Sequence, residues 1–264
     1  MRQNFKIIVA CRNVEKWITY SMESLIGQTY KNWQAIVIDD CSSDQTPNLL
    51  KELSVREKRF TIIRNSQPLV KMQNYVTAVK ISQPEDEDVL VFLDGDDWLP
   101  DSNVFEYLVD VYKNDDVWLT WGSYVVNSGK NPSLLTNYEG RGTGGYAREL
   151  PLDQNVRKDW RFSHLKTCKY FLWKNIKDVD LRLKVTGEYY PSAIDTAIMY
   201  PMIEMAGREH HKFIERITYV YNCGNPQSYM YTLRQVNQKC CAETRSCPPY
   251  AQKTKDELLH GVSG

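Results

Sequence analysis

Three aspartates follow a strongly apolar run in the sequence VLVFLDGDDWLP. If that run is a buried strand, Asp94, Asp96 and Asp97 lie at its end, where a charge costs desolvation free energy unless a positive partner compensates it. A divalent cation, a basic side chain and plain solvent at a strand end are the three alternatives. Carboxylates are the hard oxygen ligands that Mg²⁺ and Mn²⁺ prefer, so this stretch could support metal-dependent chemistry on a phosphate-bearing substrate.

The elements that must position these aspartates alternate regularly through the first half of the chain. Continuous apolar runs predict buried strands, and apolar residues at helical spacing predict helices between them. Alternation at this spacing implies right-handed βαβ units, and therefore an α/β fold with a mostly parallel sheet. The predicted strands are 5–10, 33–40, 60–65, 88–94 and 117–126, and the predicted helices are 14–28, 44–57, 69–82 and 102–114.

In parallel sheets of this kind, ligands bind in a crevice at the carboxyl ends of the strands. Asp39 and Asp40 end the second predicted strand and Asp94 ends the fourth, so both acidic clusters are expected to face one crevice. No G-x-G-x-x-G follows the first strand, and the chain contains no G-x-x-x-x-G-K-[ST], which argues against a nicotinamide dehydrogenase and a P-loop NTPase. The phosphates of a bound nucleotide would then need a metal ion.

Composition narrows the functional classes further. The 264 residues include 33 Lys+Arg and 33 Asp+Glu, and a formal charge of zero argues against a nucleic-acid-binding protein. No window approaches the roughly 20 apolar residues that span a bilayer, and the start of the chain is predicted to be a strand rather than a signal peptide. Seven cysteines, an odd number, favour a reducing compartment and a cytoplasmic location, either free, peripheral to a membrane or within a larger chain. The oligomeric state stays open.

Two stretches, SLIGQTYKNWQAIVIDDCSSDQT at 24–46 and VFLDGDDWLP, resemble the signature motifs of family 2 glycosyltransferases. In that family an S-x-x-x-Q-T-Y helix end leads into a strand and DD-x-S-x-D-x-T, and a D-x-D metal motif with a trailing proline follows. The resemblance covers roughly residues 4–225. It implies a GT-A (nucleotide-diphospho-sugar transferase) fold, an inverting transfer from a nucleoside-diphosphate sugar, and Mn²⁺ or Mg²⁺ as cofactor. The lack of a Q-x-x-R-W motif indicates a non-processive enzyme.

The resemblance also implies roles for the aspartates that match these motifs. Asp40, the second residue of DD, would accept a hydrogen bond from a base N–H such as uracil N3, while Asp39 supports the turn. Asp94 would contact the donor ribose. Asp96 would be the principal metal ligand, and Asp97 is the second candidate ligand. How Asp94, Asp96 and Asp97 divide these roles stays open.

Other predicted donor contacts depart from the family pattern. Relatives approach the base from the end of the first strand, where this chain has Ala10 and Arg12, so the base stays open, with UDP favoured over GDP. Relatives also approach the donor near residue 65, where this chain reads NSQPLVKMQN. Lys71 and Asn74 are the candidates there, and the alternative for Lys71 is an exposed helical lysine. His164 could contact the diphosphate or the acceptor, or could be structural.

Asp195 is the candidate catalytic residue of the second half. The family places its general base at the start of a helix such as the one predicted from YYPSAIDTAIMYPMIEMAG, and an inverting transfer needs a carboxylate to deprotonate the acceptor hydroxyl. The alternative for Asp195 is a helix N-cap.

The segment 160–176 is predicted as a helix, and the glycine-rich segment 137–149 is predicted as a loop that closes over the donor.

The chain is therefore divided into a glycosyltransferase domain at 1–229, with a nucleotide-binding half at 1–126 and an acceptor half at 127–229, and an extension or linker at 230–264. The acceptor would be a glycan, a protein or a lipid-linked molecule. Three cysteines in the last segment lack a fourth ligand for zinc. Two alternatives from other classes stay open, a sugar-nucleotide nucleotidyltransferase and a non-catalytic sugar-binding module.

Overall fold

The computed structural model describes residues 3–127, 156–158, 160, 162–226 and 233–261. In this part the chain forms strands and helices in regular alternation, followed by a more helical second half. Their bounds are β1 Phe5–Cys11, α1 Ile18–Ile26, β2 Trp33–Asp39, α2 Thr46–Arg56, β3 Phe60–Arg64, α3 Lys71–Ser82, β4 Val89–Asp94, α4 Val104–Tyr112, β5 Leu119–Asn127, β6 Lys166–Lys169, α5 Tyr170–Trp173, α6 Ile194–Ala206, β7 His211–Asn222, α7 Arg234–Ser246 and α8 Lys255–His260, with 3₁₀ turns at Val156–Lys158 and Asp178–Leu181.

The described strands form a seven-stranded sheet in the order β3-β2-β1-β4-β6-β5-β7. β1 pairs in parallel with β2 and β4, β2 with β3, and β5 with β7, whereas β6 runs antiparallel to β4 and to β5. This architecture confirms the predicted α/β class with a mostly parallel sheet. The helices of the first half begin and end a few residues from the predicted bounds, because apolar periodicity locates a helix better than it locates its ends.

The two faces of the sheet pack into two hydrophobic clusters. Along β1, Ile7 and Val9 contribute to the cluster that includes α1, while Ile8 contributes to the cluster that includes α3 and α6. All seven residues of β1 are buried. Burial on both faces explains why these strands read as continuous apolar runs instead of alternating ones.

One predicted helix is wrong. The segment 160–176 contains a strand, β6, followed by the four-residue helix α5. All four residues of β6 are buried between β4 and β5, so pairing within the sheet overrides the helical periodicity of the segment. The predicted loop at 137–149 lies outside the described residues.

The described part of 230–264 packs against the rest of the chain. α7 and α8 contribute Cys240 and Leu258 to the same cluster as α6. A capping box at Thr254 starts α8.

All seven cysteines are free. Within the described ranges, no helix combines the length and apolarity needed to cross a membrane. The domain boundaries themselves stay predictions.

Candidate active site

The carboxyl ends of three parallel strands meet at one edge of the sheet. The register pairs Cys11 with Asp39 and Ala10 with Asp94, so the residues after β1, β2 and β4 emerge side by side. The backbone N–H of Asp40 donates to the carbonyl oxygen of Cys11 at 2.8 Å, which ties the turn after β2 to β1. The two acidic clusters of the sequence therefore border the same crevice, as predicted.

This crevice is a cavity of about 980 Å³. Its size suits a nucleotide sugar, because ligand pockets in proteins span about 300–1,000 Å³. Of the ten predicted site residues, all but Asp97 line it, namely Ala10, Arg12, Asp40, Lys71, Asn74, Asp94, Asp96, His164 and Asp195. The predicted roles of these residues stay predictions, but the fold brings the residues together.

Asp40 is buried and held by one of its carboxylate oxygens. Oδ1 accepts hydrogen bonds from Asn65 Nδ2 and from the backbone N–H of Leu69, both at 2.7 Å. Asn65 Nδ2 also donates to Asn74 Oδ1 at 2.8 Å. Neither hydrogen bond to Asp40 uses Oδ2, so this oxygen can accept a hydrogen bond from a ligand in the cavity. Asp39, in contrast, accepts from the backbone N–H of Ser42 within the turn.

Lys71 and Asp94 form an ion pair in the cavity. Lys71 Nζ lies 2.5 Å from Asp94 Oδ1, which also accepts from the Tyr75 hydroxyl at 2.8 Å. The Lys71 side chain is only 20% exposed, so it is not the solvated helical lysine of the alternative interpretation. Desolvation opposes ionisation of Asp94, but the positive groups around it, Lys71 first among them, together outweigh desolvation and lower the pKa of Asp94.

No described ion pair neutralises Asp96. Its Oδ2 accepts from Asn225 Nδ2 at 2.7 Å, and its pKa is raised by burial and by the neighbouring Asp94 carboxylate. Among the described residues, no three His, Cys, Asp or Glu side chains are arranged as a complete metal site. Asp96 nevertheless fits a partial site, since Mg²⁺ is commonly bound by one or two carboxylates together with substrate phosphates.

The structure does not place Asp97 in the cavity. Its Oδ2 accepts from the Tyr219 hydroxyl at 2.5 Å, and its Oδ1 accepts from the backbone N–H of Asn222 at 2.7 Å. The residue is 1% exposed. Both oxygens are thus directed toward β7, and Asp97 joins β7 to the turn after β4. We therefore do not retain it as a metal-ligand candidate.

Asp195 also lines the cavity, and it comes from α6 in the second half of the chain. It is the second residue of α6, whose N-cap is Ala193 with no side-chain capping bond. Asp195 is therefore not the N-cap that the alternative interpretation required. Its Oδ1 lies 2.8 Å from Lys166 Nζ, which in turn lies 2.9 Å from His164 Nδ1. The His164 ring stacks on that of Tyr219, with centroids 4.5 Å apart.

Sequence reasoning missed part of the wall of the cavity. Three polar residues of α7, Arg234, Asn237 and Gln238, line it, as does Asn225 from the segment after β7. Their spacing of three and four residues places the α7 group on one helical face, which is the signal that could have found them. The polar composition of α7 hid that face, because few of its residues are apolar and a mostly polar segment does not predict a packed helix.

The glycosyl transferase family 2 model matches residues 6–171. The chain is 26% identical over 179 residues to UDP-Glc:alpha-D-GlcNAc-diphosphoundecaprenol beta-1,3-glucosyltransferase WfgD of Escherichia coli, covering 64% of this chain and 68% of that protein. The relatives in this comparison are glycosyltransferases, as predicted.

Two kinds of solved structure share the fold. Residues 1–349 of TarS from S. aureus, in complex with UDP, align with a TM-score of 0.65 and 19% identity over 97% of this chain and 70% of that one. The mannosyltransferase PcManGT from Pyrobaculum calidifontis, in complex with GDP-Man and Mn²⁺, aligns with a TM-score of 0.60 and 17% identity over 99% and 69%. Against a longer TarS chain, coverage is 39% of that chain. These similarities confirm the GT-A fold.

Proposed function

This chain belongs to glycosyl transferase family 2, and we propose that it moves a sugar from a nucleoside-diphosphate donor to an acceptor hydroxyl by an inverting, metal-dependent, non-processive mechanism. The single observation that carries the proposal is the cavity itself. It brings Asp40, Asp94 and Asp96 from the strand ends to face Asp195 from α6. Neither a nucleotidyltransferase nor a sugar-binding module has a comparable use for Asp195.

The donor is a UDP-sugar in this proposal. Asp40 Oδ2 accepts from the base N–H, and Asp94 binds the ribose hydroxyls while its other oxygen holds Lys71. Ala10, Arg12, Asn74 and His164 complete the donor contacts, with Arg12 exposed at the mouth of the first turn. The UDP-glucose in the name of the E. coli relative and the UDP in the TarS complex support this choice.

The diphosphate is the part of the donor that needs a cation. Asp96 would hold Mn²⁺ or Mg²⁺, with Asp94 as the neighbouring carboxylate. A bound divalent ion would supply Lewis-acid stabilisation of the negative charge that gathers on the leaving diphosphate. The Mn²⁺ in the PcManGT complex supports a metal-dependent transfer.

Asp195 is the general base. As the acceptor oxygen forms its bond to the anomeric carbon, its proton passes to the Asp195 carboxylate, and the bond from that carbon to the diphosphate oxygen breaks with its electron pair. Attack from the face opposite the leaving group inverts the anomeric centre. The acceptor is a glycan, a protein or a lipid-linked molecule, and the diphosphoundecaprenol in the name of the E. coli relative supports the last class.

Donor hydrolysis tests this function. The protein is incubated with UDP-glucose, UDP-galactose, UDP-xylose, UDP-GlcNAc and GDP-mannose in Mn²⁺, and the released nucleotide is measured. We expect release from one UDP-sugar and a metal-dependent thermal shift with UDP. The proposal fails if no donor is hydrolysed and neither UDP nor GDP shifts the unfolding temperature in Mn²⁺.

A further inference from the structure

Lys166 is a buried cation beside the cavity, although it does not line it. It is 2% exposed and is the first residue of β6. The antiparallel register of β6 pairs it with Phe92, two residues before Asp94. β6, which is antiparallel to both of its neighbours, thus places a lysine at the end of the sheet where the acidic cluster lies.

A buried ammonium group requires a carboxylate partner, because an unpaired charge in the protein interior is very costly. Among the described residues, Asp195 is the carboxylate within 4.0 Å of Lys166 Nζ. The Asp195 side chain is 45% exposed, so its carboxylate has room to rotate unless something holds it. Lys166 holds it by Oδ1, and no described hydrogen bond uses Oδ2.

His164 completes the arrangement as a neutral group. Its Nδ1 lies 2.9 Å from Lys166 Nζ, and an imidazole nitrogen that accepts from an ammonium group carries no proton. Burial, together with the Lys166 cation, lowers the pKa of His164 to about 3. Near neutral pH Lys166, and not His164, is therefore the cation of this pair that lies beside Asp195.

We propose that Lys166 is the positioning residue of the catalytic base, which it holds by Oδ1 so that Oδ2 meets the acceptor hydroxyl. This inference rests on the proposed function, in which Asp195 is the base. Lys166 itself contacts neither substrate. Its buried position fixes the direction of the Asp195 carboxylate in the absence of an N-cap bond or another described partner.

The charged groups around Asp195 predict how a change at Lys166 alters the pH dependence. The described titratable groups that interact with Asp195 are Lys166 of β6, His164 before it, Lys71 and Tyr75 of α3, and Cys241 of α7. Desolvation in the cavity alone would raise the pKa of Asp195, but the favourable interactions around it, of which the one with Lys166 is the largest, together outweigh desolvation and lower the pKa. Loss of the Lys166 charge therefore moves the acid limb of the kcat/KM profile to higher pH.

The test compares two buried lysines of the same strand. Lys169 has a side chain 5% exposed and pairs with Glu87 at 3.0 Å, away from the cavity, so Lys169→Met is the matched control. We expect Lys166→Met to lower kcat about tenfold or more, with the KM for the donor little changed, and to raise the acid limb by about one pH unit. Lys166→Arg should restore the acid limb and Lys169→Met should not move it.

A readout without turnover separates this inference from the proposed function. The pKa of Asp195 is measured by carboxyl ¹³C NMR, with the resonance assigned by its loss in Asp195→Asn. Lys166→Met, or Lys166→Gln if the former does not fold, should raise this pKa. An unchanged pKa, or an acid limb and kcat equal to those of Lys169→Met, overturns the inference. If the protein hydrolyses no donor, the proposed function fails while the NMR titration still decides the ion pair.

Discussion

Asp94 and Asp96 are two residues apart and have opposite electrostatic surroundings. Asp94 is neutralised by Lys71 at 2.5 Å, whereas Asp96 has an amide partner and a raised pKa. Two carboxylates this close cannot both stay ionised at low cost without a second positive charge. A divalent ion with a substrate diphosphate supplies that charge, which is why Asp96 rather than Asp94 is the residue where metal dependence should be tested.

Asp96→Asn is expected to abolish the gain in UDP affinity that Mn²⁺ provides. Removal of the carboxylate removes the charge that holds the ion. We expect UDP binding in Mn²⁺ to weaken by at least about 10–100-fold, the loss already caused by changes to residues that only hydrogen-bond to metal ligands. Titration calorimetry with UDP, in Mn²⁺ and in EDTA, measures the gain. Asp110→Asn, at an exposed residue of α4, serves as control. An Asp96→Asn protein with the full Mn²⁺ gain would refute the role.

The sequence predicts these aspartates as a group but does not separate Asp96 from Asp97. Residue type and spacing are the same for both candidate ligands, and the difference comes from β7, more than 100 residues away. Tyr219 and Asn222 take both oxygens of Asp97. A partner that distant in the chain has no local signal, so only the fold can assign Asp97 to the interior.

At the scale of elements, the turn after β4 lies directly against the end of β1. A Cβ atom added at Gly95 would lie 2.3 Å from Cys11 Cβ, far inside van der Waals contact. The Gly95 backbone N–H also donates to the carbonyl oxygen of Ala10 at 3.3 Å. Glycine in D-G-D therefore allows the two strand ends to approach closely enough for Asp94 and Asp96 to share one cavity with Ala10.

Gly95→Ala is expected to lower the free energy of unfolding by about 1–3 kcal/mol, the usual cost of overpacking a well-packed site. It should also weaken UDP binding, because relief of the clash separates the ends of β1 and β4. Chemical denaturation and calorimetry measure the two effects. Gly27→Ala is the control, since its added Cβ meets no atom closer than 3.3 Å. Equal denaturation midpoints for the two variants would contradict the close approach.

The first five strands and the four helices between them could be predicted because each has its own apolar pattern. β6 could not, because its four residues are too few for a periodic signal and become a strand only by pairing with β4 and β5. α7 is missed for a different reason, because its cavity-facing residues are polar and few of its other residues are apolar. Elements whose pattern is set by distant partners are the ones that the sequence alone misplaces.

At the scale of the whole molecule, hydrogen bonds to a buried ion pair join the C-terminal segment to α6. Arg157 Nε lies 2.6 Å from Glu204 Oε1, and its Nη1 donates to the carbonyl oxygen of Thr244 in α7 at 2.6 Å. Glu204 Oε2 also accepts from the backbone N–H of Tyr250 at 2.9 Å. This network holds α7, which forms one wall of the cavity, against α6, which carries Asp195.

Arg157→Met is expected to lower the free energy of unfolding by about 3–5 kcal/mol, because it leaves the buried Glu204 carboxylate unpaired. Urea denaturation followed by circular dichroism measures the change. The control is Arg56→Met, whose pair with Glu23 has side chains 62% and 40% exposed. Loss of an exposed pair should cost less than about 1 kcal/mol. Similar losses in both variants would show that the buried network does not join the segments.

The stability of the whole molecule should depend on pH through His164. Its pKa is lowered from 6.5 to about 3 in the fold, first by burial, so below pH 6.5 the unfolded chain binds a proton that the folded chain does not. The free energy of unfolding should therefore fall as the pH decreases from 6.5 toward 3, by up to about 1.4 kcal/mol per pH unit from this group. Urea denaturation at pH 7 and pH 5 should show a smaller fall in the free energy of unfolding for His164→Gln than for the wild-type protein. An equal fall in both proteins would contradict a neutral His164 in the folded chain.

The proposed mechanism needs Asp195 as the base, and it needs a cavity that binds the donor without help from Asp195. Nucleotide release from the preferred UDP-sugar in the presence of acceptor, and UDP affinity by calorimetry, are measured in parallel for the wild-type protein and Asp195→Asn. We predict UDP affinity within about twofold of wild type and a rate of transfer lower by about 10²–10⁴-fold, the usual contribution of general-base catalysis. Equal rates of transfer in the two proteins would contradict the mechanism.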